Sequence, residues 1–350
     1  MITTYIDYYS LHPSKLVHTV RRETLVRNQN GFFEKYQYKS NTPASDFVNS
    51  RATKKSLEKK FHNFQLSANS ARNLRSKVDY LFLFANKRKV KTYRNKTIHN
   101  FKCTFLTLTL PAPQKTPTAV LQREVFEPFL QSLRQRLGMK NYVWRLEFQQ
   151  NSNAHYHLIT DTYIDYYFAR RRWNECLEYH GYISDYSENM NSMSWSEYEY
   201  RYKSGYTGSK EQLFRRYSDG KKENWRNPNS VDVKVLSSKN NIGGYIAKYF
   251  SKGSEKVNCN KLDNKENAFA LRLAFWSRSL SRCKSESMPI EYYPADYNNL
   301  LKAVSTAVHK AYDYCRISYF NFSELPRVVQ KMLWEYFGRV KSEISYISAT

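Results

Sequence analysis

The sequence predicts an α+β fold built around an antiparallel sheet, and three observations carry this prediction. Residues 103–111 alternate threonine with leucine up to a proline, which is typical of a β-strand. Residues 142–149 and 155–160 are further strand patterns joined by a short polar turn, so they predict a β-hairpin. Between strand and hairpin, residues 117–137 carry apolar side chains at helical spacing up to Gly138, which indicates a helix packed on the sheet.

The other elements follow from shorter patterns. Ser67 and the residues after it supply N-cap side chains, and apolar residues then recur at helical spacing through Phe82. Residues 163–180 predict a basic helix, and residues 231–236 predict a short alternating strand. Between them, residues 184–228 are interpreted as an insertion, which begins with an acidic stretch and a short helix of its own.

Three regions are therefore expected. Residues 1–66 form a basic N-terminal extension with weak periodicity, either a solvated tail or an arm that contacts DNA. Residues 67–255 form the main domain, and residues 256–350 form a mainly helical C-terminal region. In that last region, the helical patterns cover residues 300–314 and 325–337.

Composition indicates a polyanionic partner. The chain has 350 residues, with 56 lysines and arginines against 31 acidic residues and a net charge of +25, which suggests nucleic acid. Aromatic residues make up 16%, including 30 tyrosines, and could stack on unpaired bases. The five cysteines are scattered, which fits a reducing compartment. With neither a signal peptide nor a long apolar run in the sequence, we expect a cytoplasmic protein without membrane contact.

His155 and His157 flank one tyrosine, a spacing that puts both imidazoles on the same face of a strand. On the preceding strand, Arg145 and Glu147 alternate with the apolar residues. If the apolar sets of both strands share the core, all four polar side chains share the opposite, exposed face. Two imidazoles and a carboxylate are suitable ligands for Mg²⁺ or Mn²⁺. The alternatives are a pair of surface histidines and a plain ion pair between Arg145 and Glu147.

Hydroxyl and cationic side chains near this set are candidate DNA contacts. Thr107 and Thr109 lie on one side of the first strand, so that side is expected to face something polar. Arg145 is a candidate phosphate ligand, because guanidinium groups bind phosphate oxygens in pairs.

Residues 241–253 predict an amphipathic helix that ends at a glycine. Tyr245, Lys248, Tyr249 and Lys252 follow one another at helical spacing, so two phenols and two ammonium groups form one stripe. A phenol has a pKa near 10 and is a weak nucleophile at neutral pH unless a cation lowers that pKa. A lysine could supply this charge, or could stabilise charge that develops on a phosphate.

Three motifs occur in one order along the chain: the hydroxyl-rich strand of residues 105–109, the His155-Tyr156-His157 pair, and the segment from Tyr245 to Tyr249. In this order they resemble the rolling-circle replication initiators of the HUH endonuclease superfamily. The two-tyrosine form is similar to the gene A-type replication proteins of small single-stranded DNA phages. The resemblance covers roughly residues 100–255.

The resemblance implies a ferredoxin- or RRM-like antiparallel sheet with the histidine strand in its middle. Helices would pack on one face, and the tyrosine helix would lie over the other. Residues 67–255 would then be a nickase domain, in which His155, His157 and Glu147 hold Mg²⁺ or Mn²⁺.

The resemblance also implies roles for the second half of the site. Tyr245 or Tyr249 would attack origin DNA and leave a 5′-phosphotyrosine with a free 3′-OH. The other tyrosine would later cut the regenerated origin, and the released 3′-OH would resolve the first adduct and close the circle. Lys248 is similar to the lysine of the corresponding family motif, and we assign Lys252 to DNA contact together with Arg145 and the strand threonines.

The implied partners are single-stranded origin DNA and a host helicase and polymerase, in the bacterial cytoplasm. The sequence contains no Gly-x-x-x-x-Gly-Lys-Ser/Thr phosphate loop, so strand separation would need a separate helicase. Two other interpretations stay open. A two-tyrosine transposase would use the same chemistry, and the cleaved sequence would distinguish it. A non-catalytic single-stranded DNA-binding protein would explain the charge but leave the histidine pair and the tyrosine stripe as coincidence.

Overall fold

A computed structural model describes most of the chain. It covers residues 2–12, 15–27, 33–35, 66–92, 94–237, 271–281, 287–289, 308–312, 315–320, 325–333 and 335. Its strands are β1 (Ile2–His12), β2 (Lys15–Arg27), β3 (Phe33–Lys35), β4 (Arg88–Lys91), β5 (Thr97–Phe101), β6 (Cys103–Leu108), β7 (Tyr142–Phe148), β8 (Ala154–Thr160), β9 (Val231–Leu236), β10 (Ala274–Trp276), β11 (Ser287–Pro289), β12 (Val308–Tyr312) and β13 (Cys315–Tyr319).

The described helices follow the same order. They are α1 (Ala68–Phe84), α2 (Thr118–Leu121), α3 (Glu127–Leu137), α4 (Tyr166–Glu178), α5 (Tyr182–Ser192), α6 (Trp195–Lys203), α7 (Lys210–Lys222) and α8 (Arg278–Ser281). A π-helical turn, Gln122–Phe126, joins α2 to α3. In the described part of the chain, no helix is long and apolar enough to cross a bilayer.

The central sheet has five strands in the order β10-β7-β8-β6-β9, and every neighbouring pair is antiparallel. The histidine strand β8 is therefore the middle strand, as predicted. The predicted hairpin is confirmed, with Arg145 opposite His157 and Glu147 opposite His155. An α+β fold on an antiparallel sheet is thus confirmed, while the finer ferredoxin- or RRM-like arrangement stays a prediction.

One face of the sheet is apolar and covered by helices. The continuous helical stretch from α2 to α3, together with α4, packs on the leucines of β6 and the aromatic residues of β7 and β8. Phe126 stacks on Tyr156 with ring centroids 4.1 Å apart. The predicted helix over residues 117–137 is confirmed, including its end at Gly138, whose φ of 64° favours glycine.

Gln122, the first residue of the π-helical turn, is buried and reaches the sheet edge. Its amide donates to the carbonyl oxygen of Arg272 at 2.8 Å and accepts from the Arg272 N–H at 2.9 Å. Arg272 lies just before β10, so a helix and an edge strand that are 150 residues apart are joined by a pair of hydrogen bonds.

Helix α1 half covers the opposite face, where the prediction had placed only the tyrosine helix. Val143 and Ile159 alternate onto the same face as the polar residues of β7 and β8, and the two are paired across the strands. Helix α1 covers this apolar half through Leu74 and Val78. Its predicted N-cap is confirmed, since Ser67 Oγ accepts from the Ser70 N–H at 3.1 Å.

The first and last parts of the chain form a second sheet. Strands β11-β1-β2-β13-β12 are paired in this order, and β3 pairs with the far part of β2. The prediction of a helix over residues 300–314 is wrong at Val308–Tyr312, and the extension at residues 1–66 contains three strands. In contrast, residues 327–333 are helical, which agrees with the pattern over 325–337.

Between α4 and β9, the helices α5, α6 and α7 share a small core of their own. Met190, Tyr198, Leu213 and Trp225 are its buried members. Two of the helices begin with capping boxes, Ser194 with Glu197 and Ser209 with Gln212. The stretch after residue 184, for which we predicted one short helix, thus contains three.

We predict that Asn153 fixes the turn before the histidine strand. Its side chain donates to the Ala112 carbonyl at 3.0 Å and accepts from the Gln114 N–H at 2.9 Å, and all of these groups are buried. Asn153→Ala would leave both backbone groups unpaired, so it should lower the free energy of unfolding by roughly 2–4 kcal/mol in urea titrations. Gln150→Ala, in the exposed part of the same turn, is the control and should change it by less than about 0.5 kcal/mol. Equal effects would contradict the assigned role.

Candidate functional site

The polar cluster surrounds His157, in the middle of the central strand. Across the sheet, His157 is opposite Arg145 of β7 on one side and Thr107 of β6 on the other. Directly opposed residues point to the same face, so the three side chains are neighbours. His157 is only 1% exposed. The predicted common face is confirmed, but it is not the open surface that we expected, because α1 covers its adjoining half.

The ring of His157 is fixed on three sides. Its Nδ1 lies 3.3 Å from Thr107 Oγ1, and its Nε2 lies 3.4 Å from Glu147 Oε2. Phe105 stacks on the imidazole with ring centroids 5.5 Å apart. When Nδ1–H donates to the threonine hydroxyl, the lone pair of Nε2 points toward the carboxylate side of the cluster. This is the arrangement in which a histidine with an orienting second partner presents its other nitrogen to a ligand.

His155 lies beside His157, with ring centroids 4.6 Å apart. Burial is the main cause that lowers the pKa of His155 to about 3, and the neighbouring imidazole of His157 lowers it further. The imidazole is therefore neutral at pH 7, which leaves one ring nitrogen able to donate an electron pair. In the described part of the protein, its Nδ1 is buried without a hydrogen-bond partner.

Glu147 connects the histidines to a buried guanidinium group. Its Oε1 lies 3.4 Å from Arg145 Nε. Burial lowers the pKa of Arg145, and the carboxylate of Glu147 acts in the opposite direction. The ion pair that we considered as an alternative is therefore present, but Glu147 contacts His157 as well. Arg145 is 8% exposed, so its role as a phosphate contact stays a prediction.

The donor chemistry of this cluster suits a small divalent cation. It offers two imidazoles and one carboxylate, with a buried ring nitrogen of His155 not otherwise used. As the side chains stand, no group of three His, Cys, Asp or Glu among the described residues surrounds a single point. Side chains would therefore have to rotate before these groups could bind one cation. Glu147 contacts Arg145 through one oxygen and His157 through the other.

Of the other predicted site residues, only Thr107 contacts the polar cluster in the described part of the chain. Thr107 contacts His157, whereas the hydroxyl of Thr109 donates to the Ser230 carbonyl at 3.1 Å and so serves the fold. Four residues of the predicted tyrosine stripe lie outside the described residues: Tyr245, Lys248, Tyr249 and Lys252.

Sequence reasoning missed the contribution of β9 to this face. Asp232 is opposite Thr107 in the β6–β9 pairing, and it forms an ion pair with Lys234 at 3.5 Å. The alternation of residues 231–236 did indicate that these two side chains share a face. Which strand β9 would pair with, and so which face that is, depends on the assembled sheet.

The connection between β9 and β10 has a topological consequence. These strands are the two edges of the five-stranded sheet, four strand spacings apart, or about 19 Å. The chain after residue 237 leaves one edge, and at residue 271 it enters the other. The predicted tyrosine stripe belongs to the part of the chain that joins these edges.

One comparison with known proteins gave a match. Residues 103–254 match a family model described as replication-associated protein ORF2/gene 2 protein. The matched part begins at β6, contains the whole polar cluster and extends over the tyrosine stripe. No curated protein and no solved structure gave a significant match.

We predict that His155 makes folding pH-dependent in the metal-free protein. Its pKa is about 3 when folded against 6.5 when unfolded, so below pH 6.5 the unfolded chain binds more protons. The free energy of unfolding in EDTA should fall by ~2 kcal/mol from this residue between pH 6.5 and about pH 5. In urea titrations over the same pH range, the free energy of unfolding of His155→Gln should not show this fall. The matched control, His99→Gln, removes an exposed imidazole. The same pH dependence in wild type and His155→Gln would contradict the burial of a neutral imidazole.

Proposed function

We infer that residues 103–254, a domain of the replication-associated protein ORF2/gene 2 protein family of rolling-circle replication initiators, nick single-stranded origin DNA and later rejoin it. The observation that carries this proposal is the cluster of His155, His157 and Glu147 on the central strands of the matched domain. A buried neutral imidazole with an unused ring nitrogen is costly to maintain for structure alone. At a ligand-binding site, that nitrogen could donate its electron pair to a cation.

The residues present fit a divalent cation of the HUH type. His155, His157 and Glu147 would hold Mg²⁺ or Mn²⁺, and Thr107 would keep His157 in the ring orientation that presents Nε2. When bound, the cation would polarise the scissile phosphate and help to orient it. Arg145 would balance the charge of Glu147 inside the sheet.

The tyrosine stripe would supply the nucleophile. The phenolic oxygen of Tyr245 or Tyr249 attacks phosphorus, the bond from phosphorus to the 3′ oxygen breaks, and that oxygen leaves as a 3′-OH after taking up a proton. Lys248 would stabilise the phenolate or the charge on the phosphate. The chain that joins the two edges of the sheet carries this stripe, and α2, α3 and α4 already fill the apolar face. This supports an approach from the histidine side.

The same chemistry run twice would complete a replication round. The free 3′-OH primes synthesis by a host polymerase, while a host helicase separates the strands. The second tyrosine then cleaves the regenerated origin, and the released 3′-OH attacks the first phosphotyrosine and restores a phosphodiester. Each step exchanges one phosphate ester for another, so the cycle needs no nucleotide hydrolysis at this site. Lys252 and Thr107 would contact the DNA near the cleaved bond.

We predict that the tyrosine stripe forms the covalent link to DNA. The protein with single-stranded origin DNA and Mn²⁺ should give an adduct that survives denaturing gel electrophoresis and is absent in EDTA. Tyr245→Phe/Tyr249→Phe should abolish it, because a phenyl ring has no attacking oxygen. The matched control, Tyr179→Phe/Tyr200→Phe, removes two exposed phenols and should leave the yield unchanged. Adduct formation by the Tyr245/Tyr249 double variant would refute the assignment.

We also predict that the polar cluster binds Mn²⁺ in the absence of DNA. Calorimetric titration of metal-free protein should show one site that His157→Ala removes. Thr107→Val should weaken the affinity by about 10- to 100-fold, because loss of the orienting hydroxyl frees the ring, whereas Thr107→Ser should keep it. Circular dichroism checks that each variant is folded. Equal Mn²⁺ affinity in wild type and folded His157→Ala would show that these residues are not the ligands.

A further inference from the structure

Strands β4 and β5 form a small basic ribbon that the proposed chemistry does not use. Among the described strands, these two pair only with each other and form a two-stranded sheet. Residues 87–102 contain seven lysines and arginines and no acidic residue. Exposed side chains dominate both strands, and Phe101, at the base, is the buried exception. A two-stranded ribbon in isolation is marginally stable in water, so something must hold this one in place.

Two arginines attach the ribbon to the rest of the protein. At its base, Arg88 donates to the Asp161 carbonyl at 2.8 Å and lies over the Phe101 ring at 5.0 Å. Near its tip, Arg94 donates to the Tyr167 hydroxyl and lies over that ring at 5.0 Å. The ribbon is therefore held at both ends, and its orientation relative to the central sheet is fixed.

The turn of the ribbon is also ordered by hydrogen bonds. The Thr92 N–H donates to the Lys96 carbonyl at 2.8 Å, and the Lys96 N–H donates to Thr92 Oγ1 at 3.1 Å. Asn95 has a φ of 56°, a conformation that asparagine tolerates in tight turns. These hydrogen bonds fix Thr92 and Lys96 relative to each other.

Three cations of the ribbon have no role in this anchoring. Lys89, Lys91 and Lys96 are exposed, and within the described chain none lies within ion-pair distance of a carboxylate. Three ammonium groups without counter-charges on a rigid, narrow ribbon are complementary to a regular row of phosphates. A duplex presents such a row of phosphates at regular spacing, and the major groove of B-DNA admits a two-stranded ribbon, so we take the ligand to be duplex DNA.

The position of the ribbon relates it to the polar cluster. Phe101 leads directly into β6, and six residues later Thr107 is opposite His157. At about 3.3 Å per residue, the ribbon base lies roughly 20 Å along the sheet from the histidines. That distance corresponds to about six base pairs at 3.4 Å each.

We propose that the β4–β5 ribbon binds the duplex DNA that flanks the single-stranded nick site, with Lys89, Lys91 and Lys96 on its phosphates. This inference rests on the proposed function, because it takes DNA at the histidine cluster as the neighbouring ligand. It adds a second contact region, which positions the protein on structured DNA about six base pairs from the bond to be cleaved.

The test compares two DNA probes by fluorescence anisotropy over a range of salt concentrations. One probe is a stable DNA hairpin with a single-stranded tail, and the other is the tail alone. Lys89→Ser/Lys91→Ser/Lys96→Ser should weaken binding of the tailed hairpin at least tenfold. The slope of log affinity against log salt should fall by roughly 2–3 units, because three phosphate contacts are lost. Binding of the tail alone, and adduct yield on it, should stay unchanged.

Two matched variants control for charge and fold. Lys203→Ser/Arg215→Ser/Lys222→Ser removes three exposed cations of α6 and α7 and should keep wild-type affinity for the tailed hairpin. Lys89→Arg/Lys91→Arg/Lys96→Arg should keep it as well, which shows that the ribbon side chains tolerate substitution. The proposal is overturned if the serine variant binds the tailed hairpin with wild-type affinity. It is also overturned if its affinity falls equally for both probes, or if the α6–α7 control loses as much affinity for the tailed hairpin.

The experiment separates this proposal from the proposed function. Suppose that wild type forms no adduct, while the ribbon variant still has reduced affinity for the tailed hairpin but not for the tail alone. The nicking chemistry is then refuted and the ribbon site stands. If adducts form but the ribbon variant binds both probes normally, the ribbon site is refuted and the nicking chemistry stands.

Discussion

The antiparallel register of β7 against β8 is the constraint on which the rest of the structure depends. With Arg145 opposite His157 and Glu147 opposite His155, one face of the hairpin is aromatic and aliphatic while the other gathers four polar side chains. A shift by one residue would exchange the faces and place imidazoles in the core under α3. The buried hydrogen bonds of Asn153 hold the turn that sets this register. Fold and site are therefore specified by the same few residues.

The polar cluster shows how charge is tolerated inside this sheet. Removing an isolated ion from water costs several kcal/mol, so a buried guanidinium needs a carboxylate nearby. Arg145 and Glu147 meet this condition for each other, and His155 meets it by staying neutral. The apolar half of the same face, under α1, lowers the local dielectric and strengthens these interactions. The arrangement places the carboxylate of Glu147 between the guanidinium group of Arg145 and the ring of His157, with the neutral imidazole of His155 beside that ring.

Much of the central sheet was predictable because its signals are local. The alternation in β6, β7 and β8, the helical period before Gly138 and the cap at Ser67 each need only a short window of sequence. The common face of the histidines and Glu147 followed from that alternation. The cover by α1 did not, because Val143 and Ile159 add one apolar residue per strand to the polar face, and no local pattern states which helix packs on them. The contacts of Thr107 with His157, and the place of Asp232, depend on which strands meet across β6, and no local pattern states this.

The second sheet has a consequence for the order in which the chain can fold. In it, Thr19 of β2 pairs with Cys315 of β13, residues that are separated by about 300 positions. During synthesis, β1 and β2 leave the ribosome long before β13 exists, whereas all five strands of the central sheet lie between residues 103 and 276. Contacts between distant parts of a chain form late, because loop closure costs entropy before any contact forms. The central sheet with its histidines can therefore assemble on the nascent chain, whereas β2 cannot pair with β13 until residue 319 has been synthesised.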